Sequence, residues 1–232
     1  MARKFAVIGV GKYGAEIARE LAKKGAEVHA FDVSQARTEA LKDEVALAIA
    51  LDATDPKILR SKGIDQMDAV VVAIGENFEA TVLTSMALKD MGVPRVIARA
   101  SGANQLRILQ KLGIEEILAP EMEIATTVAE RLVNPSITGF LQLPDGFEIA
   151  EIKAPAGIAN RSLEDIDLRN KYRLTLITLK REYEIKDEQS GDINVEEHII
   201  GVPKSETMIY ETDTLVVFGK LGDVKKFIEV NA

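Results

Sequence analysis

Three glycines spaced Gly9-x-Gly11-x-x-Gly14 stand where the short apolar run Phe5–Val10 gives way to a stretch with helical periodicity. That spacing serves phosphate chemistry. The first glycine makes a tight turn, the second lets the backbone approach a pyrophosphate, and the third lets helix and strand pack closely. The free N–H groups and positive dipole end of the following helix then face the anion. Lys12 and Tyr13 lie inside this turn. A cation at position 12 suits a nucleotide with charge beyond the pyrophosphate, such as ATP. The plain alternative is a solvated first-turn lysine.

Four further positions could complete a nucleotide site. Asp32 follows Gly14 by 18 residues, close to the ~20 at which an acid takes the ribose hydroxyls. A carboxylate there repels a 2′-phosphate and disfavours NADP. It could instead be a capping acid near Ser34. Asp52, in Leu51-Asp52-Ala53-Thr54-Asp55, either faces the adenine side together with Ala53 or is a loop acid beside a helix cap. Arg99 ends the fifth apolar run and Glu121 opens the last helix-length stretch, beyond Pro120, and strand C-terminal ends line the ligand crevice of an open parallel sheet. Arg99 can pair with phosphate. Glu121 can hold Mg2+ or Ca2+ beside it, because hard cations take carboxylate oxygens, or it can simply complement a helix dipole.

The elements that must position these residues follow from the hydrophobic pattern. Apolar runs at Phe5–Val10, Glu27–Asp32, Val45–Leu51, Ala69–Ile74, Arg95–Ala100 and Glu116–Ala119 lack polar alternation. Such runs predict parallel strands buried on both faces. Helix-length stretches separate them, among them Tyr13–Lys24, Asn77–Met91 and Glu121–Val133. Ser34 and Asp55-Pro56 read as helix starts, and Gly25 and Gly92 as stops. Six strands with intervening crossovers predict a Rossmann-like, doubly wound α/β domain over residues 1–134.

The rhythm changes at Asn134-Pro135-Ser136. Residues 135–232 read as a small α+β domain. It holds a hairpin (Gly139–Leu143 and Phe147–Ala154), a short helix opened by Ser162, strands at Leu174–Lys180 and Thr214–Gly219, and a last helix Leu221–Glu229. The charged, glycine-containing segment Arg181–Glu197 reads as a loop.

Composition narrows the function classes. The 232 residues carry 29 Lys/Arg against 37 Asp/Glu, a net charge of −8. No basic face emerges, which argues against nucleic acid as a partner. The absence of cysteine removes disulfides, thiolate chemistry and zinc–sulfur sites, and fits a cytoplasmic location. No apolar run approaches the ~20 residues that span a bilayer. The only histidines are His29, within a strand, and His198, beside an acidic segment. Neither offers the proton relay that hydride chemistry needs, so a small NAD-dependent oxidoreductase is the alternative rather than the leading reading.

In these residues the chain resembles the RCK (KTN) regulators of the TrkA/KtrA type. The resemblance is carried by Phe5–Gly14, Asp52-Ala53-Thr54-Asp55, Ile97-Ala98-Arg99-Ala100 and Ile117–Glu121, and in the second half by Ser162–Arg169 and Tyr210–Gly219. It implies a cytosolic homo-oligomer, built of dimers and commonly a ring of eight. The ring docks at the inner face of the membrane under a potassium-translocating subunit of the TrkH/KtrB type. It implies gating by ATP, ADP or NAD(H), not catalysis, and an RCK_C-type second domain. By position, Asp32 would hold ribose, Asp52 the adenine side, Arg99 phosphate, and Glu121 a cation at the ATP phosphates. Lys12 stands where arginine is common, keeping the charge but not the forked geometry. Some relatives bind cyclic di-AMP in the second domain, for which Arg169 is the candidate contact.

Overall fold

The computed structural model describes residues 2–186 and 193–232. The chain divides into two compact units, Met1–Ile124 and Ala125–Ala232.

The first unit alternates strand and helix. Its strands are β1 (Lys4–Ile8), β2 (Glu27–Asp32), β3 (Leu47–Ala50), β4 (Ala69–Val72), β5 (Val96–Arg99) and β6 (Glu116–Leu118). They pair in parallel in the order β3-β2-β1-β4-β5-β6, the doubly wound arrangement expected from the unbroken apolar runs. The reversal of strand order between β1 and β4 creates a crevice at the strands' C-terminal ends, where such sheets bind ligands.

Strand alternation within those runs supplies two cores. Ala6 and Ile8 of β1 join Phe31, Val70, Val72, Leu88 and Leu109 in one layer. Val7 joins Val28, Ala30, Val71 and Ala18 in the other. The helices covering the sheet are α1 (Lys12–Lys23), α2 (Gln35–Glu39), α3 (Pro56–Ser61), α4 (Phe78–Asp90) and α5 (Ala103–Lys111). Asp55 caps α3, accepting from Lys57 N–H at 2.8 Å, and Asn77 caps α4 through Ala80 N–H at 3.0 Å. The next helix, α6 (Pro120–Val133), contains the point where the two units divide.

The second unit is built on an antiparallel sheet of β7 (Ile137–Gln142), β8 (Phe147–Lys153), β10 (Thr175–Lys186), β11 (Ile193–Ile199) and β13 (Thr214–Lys220), ordered β11-β10-β13-β8-β7. A small ladder joins β9 (Arg161–Ser162) to β12 (Met208–Ile209). Helices α7 (Leu163–Ile166), α8 (Leu168–Tyr172) and α9 (Leu221–Asn231) complete it. Ala150, Ile152, Leu215 and Val217 of the sheet pack with Val224 and Phe227 of α9.

The segment Arg181–Glu197, expected as a loop, is instead largely strand. β10 runs on to Lys186 and pairs with β11, Tyr183 opposite Glu196 and Lys180 opposite Ile199. Residues 187–192, which fall in the expected loop, lie outside the described residues. Tyr183, Ile185, Val195 and Ile199 are exposed. A hairpin at a sheet edge buries little, so its sequence carries charge where a central strand carries apolar residues.

One charged residue lies on the core face. Glu148 alternates with Ala150 and Ile152 on β8 and is 3% exposed. Its Oε1 is buried without a hydrogen-bond partner among the described residues. Burial, reinforced by the Glu130 carboxylate and partly offset by Lys225, raises its carboxyl above the usual range. The folded state therefore holds this proton more tightly than the unfolded chain does. The associated stability is present below the ordinary carboxylate value and is lost as pH rises through the raised one. Glu148→Gln should raise the urea midpoint at neutral pH, with the gap closing as pH falls toward the ordinary carboxylate range. A gap that is constant with pH would show that Glu148 does not titrate between these limits.

Candidate functional site

The glycine turn occupies the place its spacing predicts, at the end of β1 and the start of α1. Gly9 has φ +88°, and a Cβ there would meet Ile74 N at 2.8 Å, so only glycine fits. Gly14 lies against Gly9 O, which a Cβ would approach to 2.0 Å. Gly11 differs from both: a Cβ there would meet nothing within 4 Å. The space beside it belongs to the cleft, not to protein packing. Gly11 is also the N-cap of α1, and no side chain caps that helix. The first N–H groups of α1 have no intrahelical acceptor and are available to an anion.

A cleft of about 960 Å3 opens above this turn. It is lined by Gly9, Gly11, Lys12 and Tyr13, by Asp32, by Asp52 and Ala53, and by Arg99. Eight of the ten residues singled out from the sequence thus converge on one surface. Gly14 packs beneath it, and Glu121 reaches it only through Arg99.

At one end stands Asp32, 5% exposed. Its Oδ2 accepts from Val10 N–H at 2.9 Å and its Oδ1 from Ser34 N–H at 2.9 Å. Two backbone donors fix the carboxylate plane, and each oxygen retains acceptor capacity for a diol. Ser34 is the N-cap of α2 but its side chain makes no capping bond. Asp52 is exposed and folds back on Thr54, accepting from its N–H at 2.9 Å and its hydroxyl at 2.7 Å. Those two bonds, the backbone one first, hold its carboxyl below the usual range. Ala53 is buried, and its carbonyl accepts from the Thr84 hydroxyl at 3.1 Å.

At the other end lie the cations. Lys12 is exposed and makes no ion pair within 4 Å among the described residues. The Arg99 guanidinium carbon lies 5.3 Å from the centre of the Tyr13 ring, within cation–π range. Arg99 forms an ion pair with Glu121. Its Nε is buried and finds no acceptor among the described residues. Its Nη1 would lie 3.0 Å from a Cβ at Gly75, so a side chain at 75 would crowd it. The Glu121 carboxyl is held below the usual range by its own backbone N–H and then by Arg99. Glu121 therefore joins helix-start and ion-pair roles in one residue.

The lining also holds residues that the sequence did not single out, among them Glu79, Ala80, Leu83 and Thr84 of α4. Ile74, Gly75, Glu76 and Asn77 follow β4 and form one wall. The rule that selected Arg99, that strand C-terminal ends face the crevice, applies equally to them. Arg37 of α2 is also on the lining, its Nη1 3.5 Å from Asp32 Oδ2. No spacing rule announces it. Among the described residues no three or more His, Asp or Glu side chains gather as a metal cluster, and no helix is long and apolar enough to cross a membrane.

The model of the TrkA-N domain family matches residues 5–120. The chain is 31% identical over 227 residues to the Ktr system potassium uptake protein C of Bacillus subtilis, covering 98% of this chain and 96% of that one. It is 31% identical over 225 residues to the Ktr system potassium uptake protein A of the same organism, covering 97% and 95%. Among solved structures, the GsuK RCK domain superposes with a TM-score of 0.55 at 19% identity, covering 98% of this chain and 47% of that one. At that identity the likeness concerns the fold.

Proposed function

This chain belongs to the TrkA-N domain family, and we propose from that premise that it is a nucleotide-sensing regulatory subunit of a potassium uptake system. The potassium half of the reading is supported by relatives named as Ktr potassium uptake proteins, matched over nearly their whole length. The nucleotide half is carried by one observation: unfilled space at Gly11 beside uncapped N–H groups, with a buried, oriented carboxylate at one end and Lys12 and Arg99 at the other. That arrangement suits an adenosine phosphate, with ribose on Asp32, base toward Asp52 and Ala53, and phosphates over the turn. ATP, ADP and NAD(H) are the ligands it fits.

Among the described residues no histidine lines the cleft, and Tyr13 is engaged beneath Arg99. We read the site as a sensor rather than an enzyme. One nucleotide favours one conformation of the assembly and another favours a second, each by its difference in affinity between the two. Glu121 is the residue that would hold Mg2+ or Ca2+ beside ATP. As a single carboxylate it would leave the remaining ligands to phosphate oxygens and water. Cyclic di-AMP at the second unit, with Arg169 in contact, is the further ligand of this reading.

The domain assignment is nucleotide binding over residues 1–134 and an RCK_C-type regulatory domain over 135–232. The assembly is a homo-oligomer, dimers in a ring of about eight, at the cytoplasmic face beneath a TrkH/KtrB-type membrane subunit. Supporting it, Val128 and Leu132 lie four residues apart on α6 in the second unit, and both are exposed. An unburied apolar pair of this kind suits a second copy of the chain.

Lys12 tests the phosphate end. Isothermal calorimetry should show Lys12→Ala weakening ATP about tenfold more than ADP, the worth of one charge-assisted contact. Equal losses for both would place Lys12 away from the terminal phosphate.

A further inference from the structure

Asp32 is assigned to the ribose and Asp52 with Ala53 to the adenine side, which leaves the flat face of the base without a platform. The adenosine end of the cleft has an unusual rim. Val33 is 75% exposed, and beside it the Arg37 side chain is 54% exposed with Nη1 3.5 Å from the Asp32 carboxylate. Leu51 and Ala53 complete an apolar floor. A cleft end lined by a 75% exposed valine, a leucine and an alanine, with the Asp32 carboxylate already facing the arginine, is a poor setting for a second anion. It is a good one for a flat, weakly polar ring.

Resting on the nucleotide reading above, we propose that Arg37 is a binding residue whose guanidinium face stacks on the adenine base. Its Nη1 lies 3.5 Å from Asp32 Oδ2, an ion-pair approach through one guanidinium nitrogen. A guanidinium whose Nη1 faces a carboxylate still offers its flat faces, whereas a phosphate would have to compete with that carboxylate for the nitrogen. One carboxylate thus serves twice: it takes the ribose hydroxyls and holds the base's platform. The arrangement reads adenosine as a unit and is indifferent to the number of phosphates attached.

The test is calorimetric binding of adenosine, ADP, ATP, NAD and NADP to the wild-type chain, Arg37→Ala and Arg37→Lys, with folding verified by circular dichroism. Arg37→Ala should weaken adenosine, ADP, ATP and NAD by one common factor, between about fivefold and a hundredfold, as expected for loss of one base–side-chain stack. Arg37→Lys should recover little, because lysine restores the charge without the plane. The ratio of NAD to NADP affinity should stay unchanged. Wild-type affinities retained by Arg37→Ala, full recovery by lysine, or a loss confined to NADP would each overturn the proposal while leaving the nucleotide site standing. Failure of the wild-type chain to bind any of the five would overturn the nucleotide reading itself, and this proposal with it.

Discussion

Asp32→Ala is expected to weaken every adenosine nucleotide together, by about a hundredfold or more. A ribose diol donates to the carboxylate through two charge-assisted bonds, each worth about 1.5–3 kcal/mol, and a tenfold change is about 1.4 kcal/mol. The carboxylate does not have to be organised on binding, because Val10 and Ser34 N–H groups already hold both oxygens at 2.9 Å. Alanine also strands those two donors at a position only 5% exposed. The variant should therefore lose about 1–3 kcal/mol of stability as well. Asp32→Asn separates the two effects. The amide keeps one acceptor, restores part of the stability and recovers little of the affinity. Calorimetric titration with ATP, ADP and NAD, beside urea unfolding of the ligand-free variants, checks both. Unchanged affinity in Asp32→Ala would remove the ribose from this end of the cleft.

A second large effect is expected in the other unit. The Asp213 side chain is fully buried, and Arg181 clamps it with Nε and Nη2 each 2.8 Å from one carboxylate oxygen. Nη2 also donates to the Met208 carbonyl at 2.9 Å, and the guanidinium carbon lies 4.3 Å from the Tyr210 ring centre. Tyr210 N–H donates to the same carboxylate at 2.8 Å. One pair thus ties β10, β12 and the turn before β13 together. Arg181→Met keeps the packing of the stem but leaves a buried carboxylate without its cation, which costs about 3–5 kcal/mol. Adding Asp213→Asn removes the stranded charge and should restore a substantial part. Three of the four tyrosines, at 172, 183 and 210, lie in this unit, so urea unfolding followed by tyrosine fluorescence reports on it. Affinity for ADP should be unchanged, since the cleft lies in the first unit. A loss below about 1 kcal/mol would show that the pair behaves like a solvent-exposed one.

The two cases differ in how far the sequence announces them. The glycine turn, Asp32 and the six parallel strands are legible because each follows from a local pattern: fixed glycine spacing, or an apolar run that must be buried on both faces. Arg99 is legible by rule, as a residue closing a strand. Arg181 and Asp213 are separated by 32 positions, and nothing local signals their antiparallel juxtaposition. The edge hairpin β10–β11 reads as loop because its exposed faces carry charge. Glu148 is hidden for the opposite reason, being a charged residue at a position that alternation assigns to the core. Arg37 sits on a five-residue helix whose direction toward the cleft is set by packing rather than by spacing.

Nucleotide binding in the cleft and potassium movement are tested together in one measurement. The chain is reconstituted with a potassium-translocating membrane subunit of the TrkH/KtrB type in potassium-loaded liposomes. Potassium flux is followed with ATP, ADP, NAD or NADH on the side that holds the chain. The account predicts that adding the chain makes flux depend on which nucleotide is present, and that Asp32→Ala abolishes that dependence. Flux that ignores the chain under every nucleotide, or a nucleotide dependence that survives Asp32→Ala intact, would contradict it.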